Sequence, residues 1–282
     1  VISVAILCYL RSRPLRRCLD SLYRHTRGPF QVEVLNQGHL DPELRALYQE
    51  YSARPNFRVH YADRNLGCCE GRRRLTAQLE TPWVFLADDD LVFTPGWDLP
   101  LRASLEARPE LAAVSPYLQE SRTPFFGQFE WQDRALRARC LNLKQLQARR
   151  DGAGLVSSDF LPGGCVLLRS QVFQHYEFDA HLKHDWEDVD LWLQLRNSPW
   201  KLALCLDSLV YHQRPNPWRH AWARAYDRTR YNRSELQQSR QYFCHKWGLK
   251  NFEIQGSGPP WWLRCKAWLR QALKTLIPWL AE

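Results

Sequence analysis

Val84-Phe85-Leu86-Ala87-Asp88-Asp89-Asp90-Leu91-Val92-Phe93 carries four apolar residues into three consecutive carboxylates, and Thr94-Pro95-Gly96-Trp97 then turns the chain away. An apolar run of β-formers bounded by turn residues reads as a buried strand. The acids therefore sit at a strand's carboxyl end, the edge where open α/β sheets bind ligands. Three like charges so close repel one another, and a divalent cation held by carboxylate oxygens relieves them. The plainer reading is a solvated turn, because acids are common after strands. Asp89 can replace either neighbour in the metal-binding pair.

Outward from this stretch, strand and helix alternate. Val1 to Tyr9 is a β-rich run, and Leu15, Cys18, Leu19 and Leu22 then fall at helical spacing. Gln31 to Leu35 is a second strand ending in Asn36-Gln37-Gly38, followed by a helix from Pro42 to Tyr51 entered at Asp41. Phe57 to Tyr61 and Glu70 to Leu79 repeat the unit ahead of the acidic strand. Such alternation predicts a mostly parallel sheet with helices on both faces. After Trp97 the reading is a helix over Leu99–Ala107, a strand over Ala112–Tyr117, and loops with short helices over 119–160. Regularity returns with the glycine-opened strand Leu161–Leu168, then a helix carrying Val189, Trp192, Leu193 and Leu195. Lys201–Leu206 and Ser208–Tyr211 read as two short strands. This divides the chain into 1–215 (halves 1–98 and 99–215) and a helical, basic, Trp-rich extension, 216–282.

A chain of 282 residues, 45% of them hydrophobic, buries a large core, which excludes disorder. Its nine cysteines are irregularly spaced, with Cys68 and Cys69 adjacent and no secretory leader at Val1, which predicts a reducing, cytosolic compartment. A net charge of +9 calls for an anionic partner: nucleic acid, a nucleotide sugar or an acidic lipid surface. No apolar stretch reaches the roughly 20 residues that span a bilayer.

Four further groups carry chemistry. Asn65-Leu66-Gly67 with Glu70-Gly71-Arg72-Arg73-Arg74 opens a helix with glycines and arginines, which suits a pyrophosphate; the plain alternative is a cap with a solvated basic face. Glu187-Asp188 at a helix start offers a general base, or simply charge complementary to the helix dipole. His212, delivered to a strand end, offers a neutral imidazole to a metal, or is a structural histidine. In Trp261–Lys274, Trp261, Leu269 and Leu273 share a face away from Arg264, Arg270 and Lys274, as in a helix on an anionic membrane surface or one packed on the domain.

Taken in order, VISVAILCYLRSRPLRRCLDSL, DRNLGCCEGRRR, FLADDDLVFTPGW, LPGGCVLLRS, FDAHLKHDWEDVDLWLQL and SRQYFCHKWG resemble family 2 glycosyltransferases. The resemblance implies the GT-A fold, a Rossmann-like three-layer α/β sandwich with a mostly parallel central sheet, here with a C-terminal helical extension. It implies a metal (Mn2+ or Mg2+) on Asp88 and Asp90, with His212 as a further ligand. It also implies a nucleotide-diphosphate sugar, foremost a UDP-sugar, on Tyr9, Arg11, Asn36, Asn65, Gly67, Arg72, Asp89, Gly163 and Gly164. Asp188, with Glu187 beside it, matches the base that takes a proton from a hydroxyl of a glycan or lipid-linked acceptor, with inversion. Two departures stand out: Cys8-Tyr9-Leu10-Arg11 replaces Thr-Tyr-Asn-Arg, and Asn36-Gln37-Gly38 replaces an Asp-rich turn. The rival classes are a polyanion-binding module and a metal-dependent phosphoesterase; nucleic acid is disfavoured as a partner. A protein peripheral on the inner face of the cytoplasmic membrane is the expected setting.

Overall fold

The computed structural model describes residues 1–120, 125–183, 185–213 and 221–255. The first half follows the predicted alternation: β1 (Ile2–Cys8), α1 (Ser12–His25), β2 (Phe30–Gln37), α2 (Pro42–Ser52), β3 (Phe57–Ala62), α3 (Gly67–Thr76) and β4 (Trp83–Asp88). Leu15, Cys18, Leu19 and Leu22 are the buried stripe of α1, and the Asp41 side chain caps α2 by accepting from the Leu44 amide. The opening stretch divides in two. β4 stops at Asp88, Asp89 and Asp90 make the turn, and Leu91–Phe93 form a separate strand, β5.

The second half comprises α4 (Asp98–Ala107), β6 (Leu111–Gln119), β7 (Gly127–Gln132), β8 (Ala135–Cys140), α5 (Leu143–Ala148), β9 (Leu155–Ser157) and β10 (Cys165–Arg169). It continues through a 3-10 turn (Ser170–Gln174), α6 (Glu187–Arg196), β11 (Lys201–His212), α7 (Ala221–Arg230), α8 (Arg233–Lys246) and β12 (Asn251–Gln255). The central sheet runs β3-β2-β1-β4-β10-β6-β11-β5, with β9 on β11 ahead of β5. β3, β2, β1, β4, β6 and β11 share one direction, while β10, β5 and β9 run against it. β10 lies antiparallel between β4 and β6, so the Gly163-Gly164 turn that opens it meets the carboxyl end of β4. That juxtaposition builds the site.

Three expectations change. The segment 119–160, read as loops and short helices, contains the hairpin β7–β8, which pairs with β12 in a second, three-stranded sheet. The two short strands of 201–211 are one, β11, interrupted by a register shift between Cys205 and Leu209. The extension read as helical also contributes β12, parallel to β8. Residues 214–220 and 256–282, with Trp218 and the Trp-rich membrane-facing segment, lie outside the described residues. No helix among the described residues is long and apolar enough to cross a membrane.

The helix that carries Glu187 and Asp188 is held from behind. Asp190, fully buried in α6, accepts from Lys246 Nζ at 2.9 Å, Trp247 Nε1 at 2.8 Å and Gln194 Nε2 at 2.8 Å. Without Asp190, Trp247 and Gln194 lose this acceptor while Lys246 keeps Asp179 at 2.8 Å, and leaving buried polar groups unsatisfied costs about 1–3 kcal/mol. Asp190→Ala is expected to lower the unfolding free energy by that amount in a urea titration. A loss below about 1 kcal/mol, the scale of exposed pairs, would show that α8 does not anchor α6.

Candidate active site

The chain leaves β1 through Tyr9 and Leu10, the latter at φ +61°, and this left-handed turn directs Arg11 inward, where it is buried. Arg11 Nη1 lies 2.9 Å from Asp89 Oδ1, and Nη2 pairs with Asp90. The guanidinium also stands 4.4 Å from the centre of the Tyr226 ring on α7. Burial opposes ionisation of Asp90, but Arg11 and His212 outweigh it and hold its carboxyl below the ordinary range. At Asp89, burial prevails over Arg11 and the pKa is raised.

β11 ends at His212, which pairs with Leu91 of β5 across the sheet. His212 Nε2 lies 3.1 Å from Asp90 Oδ1, and its Nδ1 lies 3.3 Å from Glu120 Oε2. Asp88, Asp90 and His212 each offer one ligand atom, all within 4.8 Å of one another. Two carboxylates and an imidazole suit a divalent cation such as Mn2+, and a carboxylate on the far ring nitrogen is the usual way a ligating histidine is oriented. Asp90 Oδ1 is buried and faces His212 Nε2, so an acidic oxygen and an imidazole nitrogen converge on one point beside Asp88. The residues therefore fit a divalent metal.

Asp88 hydrogen-bonds through its amide to the Gly164 carbonyl at 2.8 Å, and a Cβ at Gly164 would come 2.2 Å from its carboxylate. The neighbouring glycine serves the other acid. The Gly163 amide donates to Asp188 Oδ2 at 3.2 Å, and a Cβ there would meet Asp188 Cβ at 2.7 Å. One turn thus lets both carboxylates approach the backbone, as only glycine permits.

Asp185 and Trp186 both adopt left-handed φ (62° and 68°) just before α6. Such residues cost about 1–3 kcal/mol each and persist where the surroundings over-determine them. They bring Glu187 and Asp188 against α3. There the buried Arg72 donates from Nη1 to Glu187 Oε1 at 3.1 Å and from Nη2 towards Asp88 Oδ1 at 3.5 Å. Burial and then Glu187 push the Asp188 carboxyl up to about 7, against the pull of Arg72. A half-buried acid poised near neutrality suits a general base.

Tyr9, Arg11, Asn65, Gly67 and Arg72 line one cleft with Asp88 and Asp89. Asn36 is not in that lining. It is fully buried, accepting from Tyr48 OH at 3.0 Å and donating to the Gly38 and His39 carbonyls. Its neighbour Gln37 lines the cleft instead. The opening amides of the Asn-Leu-Gly turn are engaged: Leu66 with Gln37 Oε1 (3.0 Å), Gly67 with Asn65 Oδ1 (2.9 Å) and Cys68 with the Lys183 carbonyl (3.0 Å). Gly67, at φ +80°, admits that carbonyl, which a Cβ would meet at 2.4 Å. The sequence reading passed over Gln37 and Glu120, and over Tyr226, Thr229 and Arg230, which α7 brings to the cleft. The basic, helical character of the segment after 218 was their one visible signal.

A mixed sheet with a cluster of acids that could hold a metal at the end of a central strand, and a glycine turn and a further acid beside them, defines a GT-A-type α/β protein. The family model for glycosyl transferase family 2 matches residues 3–177, and the chain belongs to that family. No curated protein matches it in sequence. Among solved structures, GalNAc-T7 with UDP, GalNAc and Mn2+ superposes with a TM-score of 0.63 at 15% identity, over 75% of this chain and 43% of that one. TarS 1-349 of S. aureus gives 0.55 at 14% identity, over 88% and 72%. The same TarS fragment in complex with UDP-GlcNAc gives 0.55 at 15%, over 76% and 59%. These likenesses share the GT-A fold, and this chain spans less than half of GalNAc-T7.

Gly164→Ala is expected to displace the Asp88 carboxylate and weaken Mn2+ binding at least about tenfold, the scale of second-shell changes, as read by electron paramagnetic resonance of free Mn2+. Unchanged Mn2+ affinity in a folded variant would remove Asp88 from the ligand set.

Proposed function

We propose that this domain transfers a sugar from a nucleotide-diphosphate sugar to an acceptor hydroxyl, with inversion at the anomeric carbon. The observation that carries the reading is the Arg72 bridge. One buried guanidinium ties Asp88, at the candidate metal cluster, to Glu187, beside the candidate base. The two groups are thereby held by one arginine that itself lines the cleft. Family membership supports the reaction class, and relatives solved with UDP, UDP-GlcNAc or Mn2+ support a UDP-sugar and Mn2+ here.

In this reading Asp88, Asp90 and His212 hold the divalent cation, oriented by Glu120 on His212. When bound, the cation supplies Lewis-acid neutralisation of the leaving diphosphate. Arg72 adds positive charge beside it, and Glu187 fixes where that charge sits. Asp188, held by the Gly163 and Val189 amides, accepts the acceptor's hydroxyl proton as its oxygen attacks the anomeric carbon. The sugar–phosphate bond breaks and the nucleoside diphosphate leaves with the electron pair. A single displacement with a single base inverts the configuration.

The acceptor is a glycan or a lipid-linked sugar, and the basic Trp-rich terminal segment is consistent with attachment to the inner face of an anionic membrane.

Asp188→Asn is expected to lower kcat by about 10²–10⁴-fold while UDP affinity in the presence of Mn2+ changes less than about twofold. In the native protein, activity should rise with pH through about 7, because Asp188 acts only when ionised. Undiminished turnover by Asp188→Asn would exclude the assignment.

A further inference from the structure

Three described arginines line the cleft, and they differ in what their terminal nitrogens do. Arg11 commits Nη1 to Asp89 and Nη2 to Asp90. Arg72 commits Nη1 to Glu187 and Nη2 to Asp88. Arg230, the last residue of α7, commits Nη2 to Asp185 Oδ1 at 2.5 Å, while its Nη1 is buried with no hydrogen-bond partner. An orphaned donor on a buried guanidinium is costly unless a ligand completes it.

The surroundings indicate what kind of ligand. The opening amides of α3, at Leu66, Gly67 and Cys68, already have partners, so they are not a ready-made phosphate cradle. Charge for an incoming anion must come from side chains, and a guanidinium is the group best shaped to meet phosphate oxygens. Arg230 stands on the same cleft as Asp88, Asp89 and Arg72, opposite the β1 and β4 ends, and Thr229 brings a hydroxyl beside it. Asp185 holds one side of the guanidinium fork and leaves the other for the ligand. This gives a role to the left-handed backbone at Asp185, which sets the fork as well as the entry to α6.

We infer that Arg230 is a donor-binding residue that contacts the diphosphate of the nucleotide through Nη1, and that α7 thereby forms the outer wall of the donor site. The inference rests on the glycosyl-transfer reading for the identity of the ligand as a nucleoside diphosphate. It adds a residue from outside the segment matched by the family model, which ends at 177. Tyr226, on the same helix, packs over Arg11, so α7 presents a donor to the ligand and covers the arginine that neutralises Asp89 and Asp90.

The test is isothermal titration of the full chain in Mn2+ with UDP, GDP, ADP, UMP and uridine. Arg230→Ala and Arg230→Lys are compared with the native protein, and circular dichroism establishes that each variant is folded. The native protein should prefer UDP to uridine strongly. Arg230→Ala should lose about 10- to 100-fold in UDP affinity, the range for a hydrogen bond to a charged group, and less than about threefold in uridine affinity. Arg230→Lys should recover part of the UDP affinity and none of any uridine loss. A folded Arg230→Ala that binds UDP as the native protein does overturns the inference and leaves the glycosyl-transfer reading standing. Equal losses for UDP and uridine overturn it as well, since a structural role through Asp185 would act on both alike. Native protein that binds none of UDP, GDP and ADP in Mn2+ removes the reading of the site, and the inference with it.

Discussion

A single buried guanidinium, Arg72, joins the two halves of this site. It lies between Glu187 and Asp88 at side-chain exposures of 8% for itself, 6% for Glu187 and 46% for Asp88. Removing Glu187 would leave the buried guanidinium with only the half-exposed Asp88 at 3.5 Å, whereas removing Asp88 leaves the buried pair with Glu187 intact. The gradient of exposure matters: Glu187 is fixed inside, while Asp88 faces the cleft. Arg72 is therefore held by Glu187 and presented towards Asp88. The glycine pair completes the arrangement, with Gly163 under Asp188 and Gly164 under Asp88.

The same principle settles the crowding of Asp88, Asp89 and Asp90. Three adjacent carboxylates suggest a cation as the remedy, and the fold provides two protein groups before any metal is considered. Arg11 spans Asp89 and Asp90, and His212 approaches Asp90 from the far edge of the sheet. Asp89 thereby becomes a buried partner of Arg11, and Asp88, Asp90 and His212 form a group that could hold a metal ion. The turn after β4 sends both Asp89 and Asp90 inward to Arg11, and Asp90 alone of that pair also meets the imidazole.

Much of this was legible because the first half obeys local rules. Buried strands and amphipathic helices alternate up to Asp88, and the caps and periodicities that define them are short-range. The hairpin β7–β8 was not legible, because β7 has no clean alternation, with Trp131 exposed, while in β8 the inward face is only Leu136 and Ala138 and its other neighbour is β12, more than a hundred positions later. Asn36 illustrates a limit of motif reading. It stands where the family has an acidic turn, yet register points it into the core towards Tyr48, and Gln37 faces the cleft. Alternation along β2 decided the outcome. Glu120 and Arg230 carried no local signature, since their roles arise only when β11 and α7 return to the strand ends.

The central claim is that a nucleotide sugar and a divalent cation bind together at the Arg72-bridged cleft. A ligand that binds only the native state raises its unfolding midpoint. The most direct measurement is therefore the thermal unfolding of the full chain against a panel of nucleotide sugars, with and without Mn2+, at two salt concentrations. A saturable rise with one nucleotide sugar that requires Mn2+, survives moderate salt and is lost in Asp88→Ala is the predicted result. Stabilisation by a polyanion such as heparin, independent of Mn2+, abolished by moderate salt and unchanged in Asp88→Ala, would contradict the account and point to a basic binding surface instead.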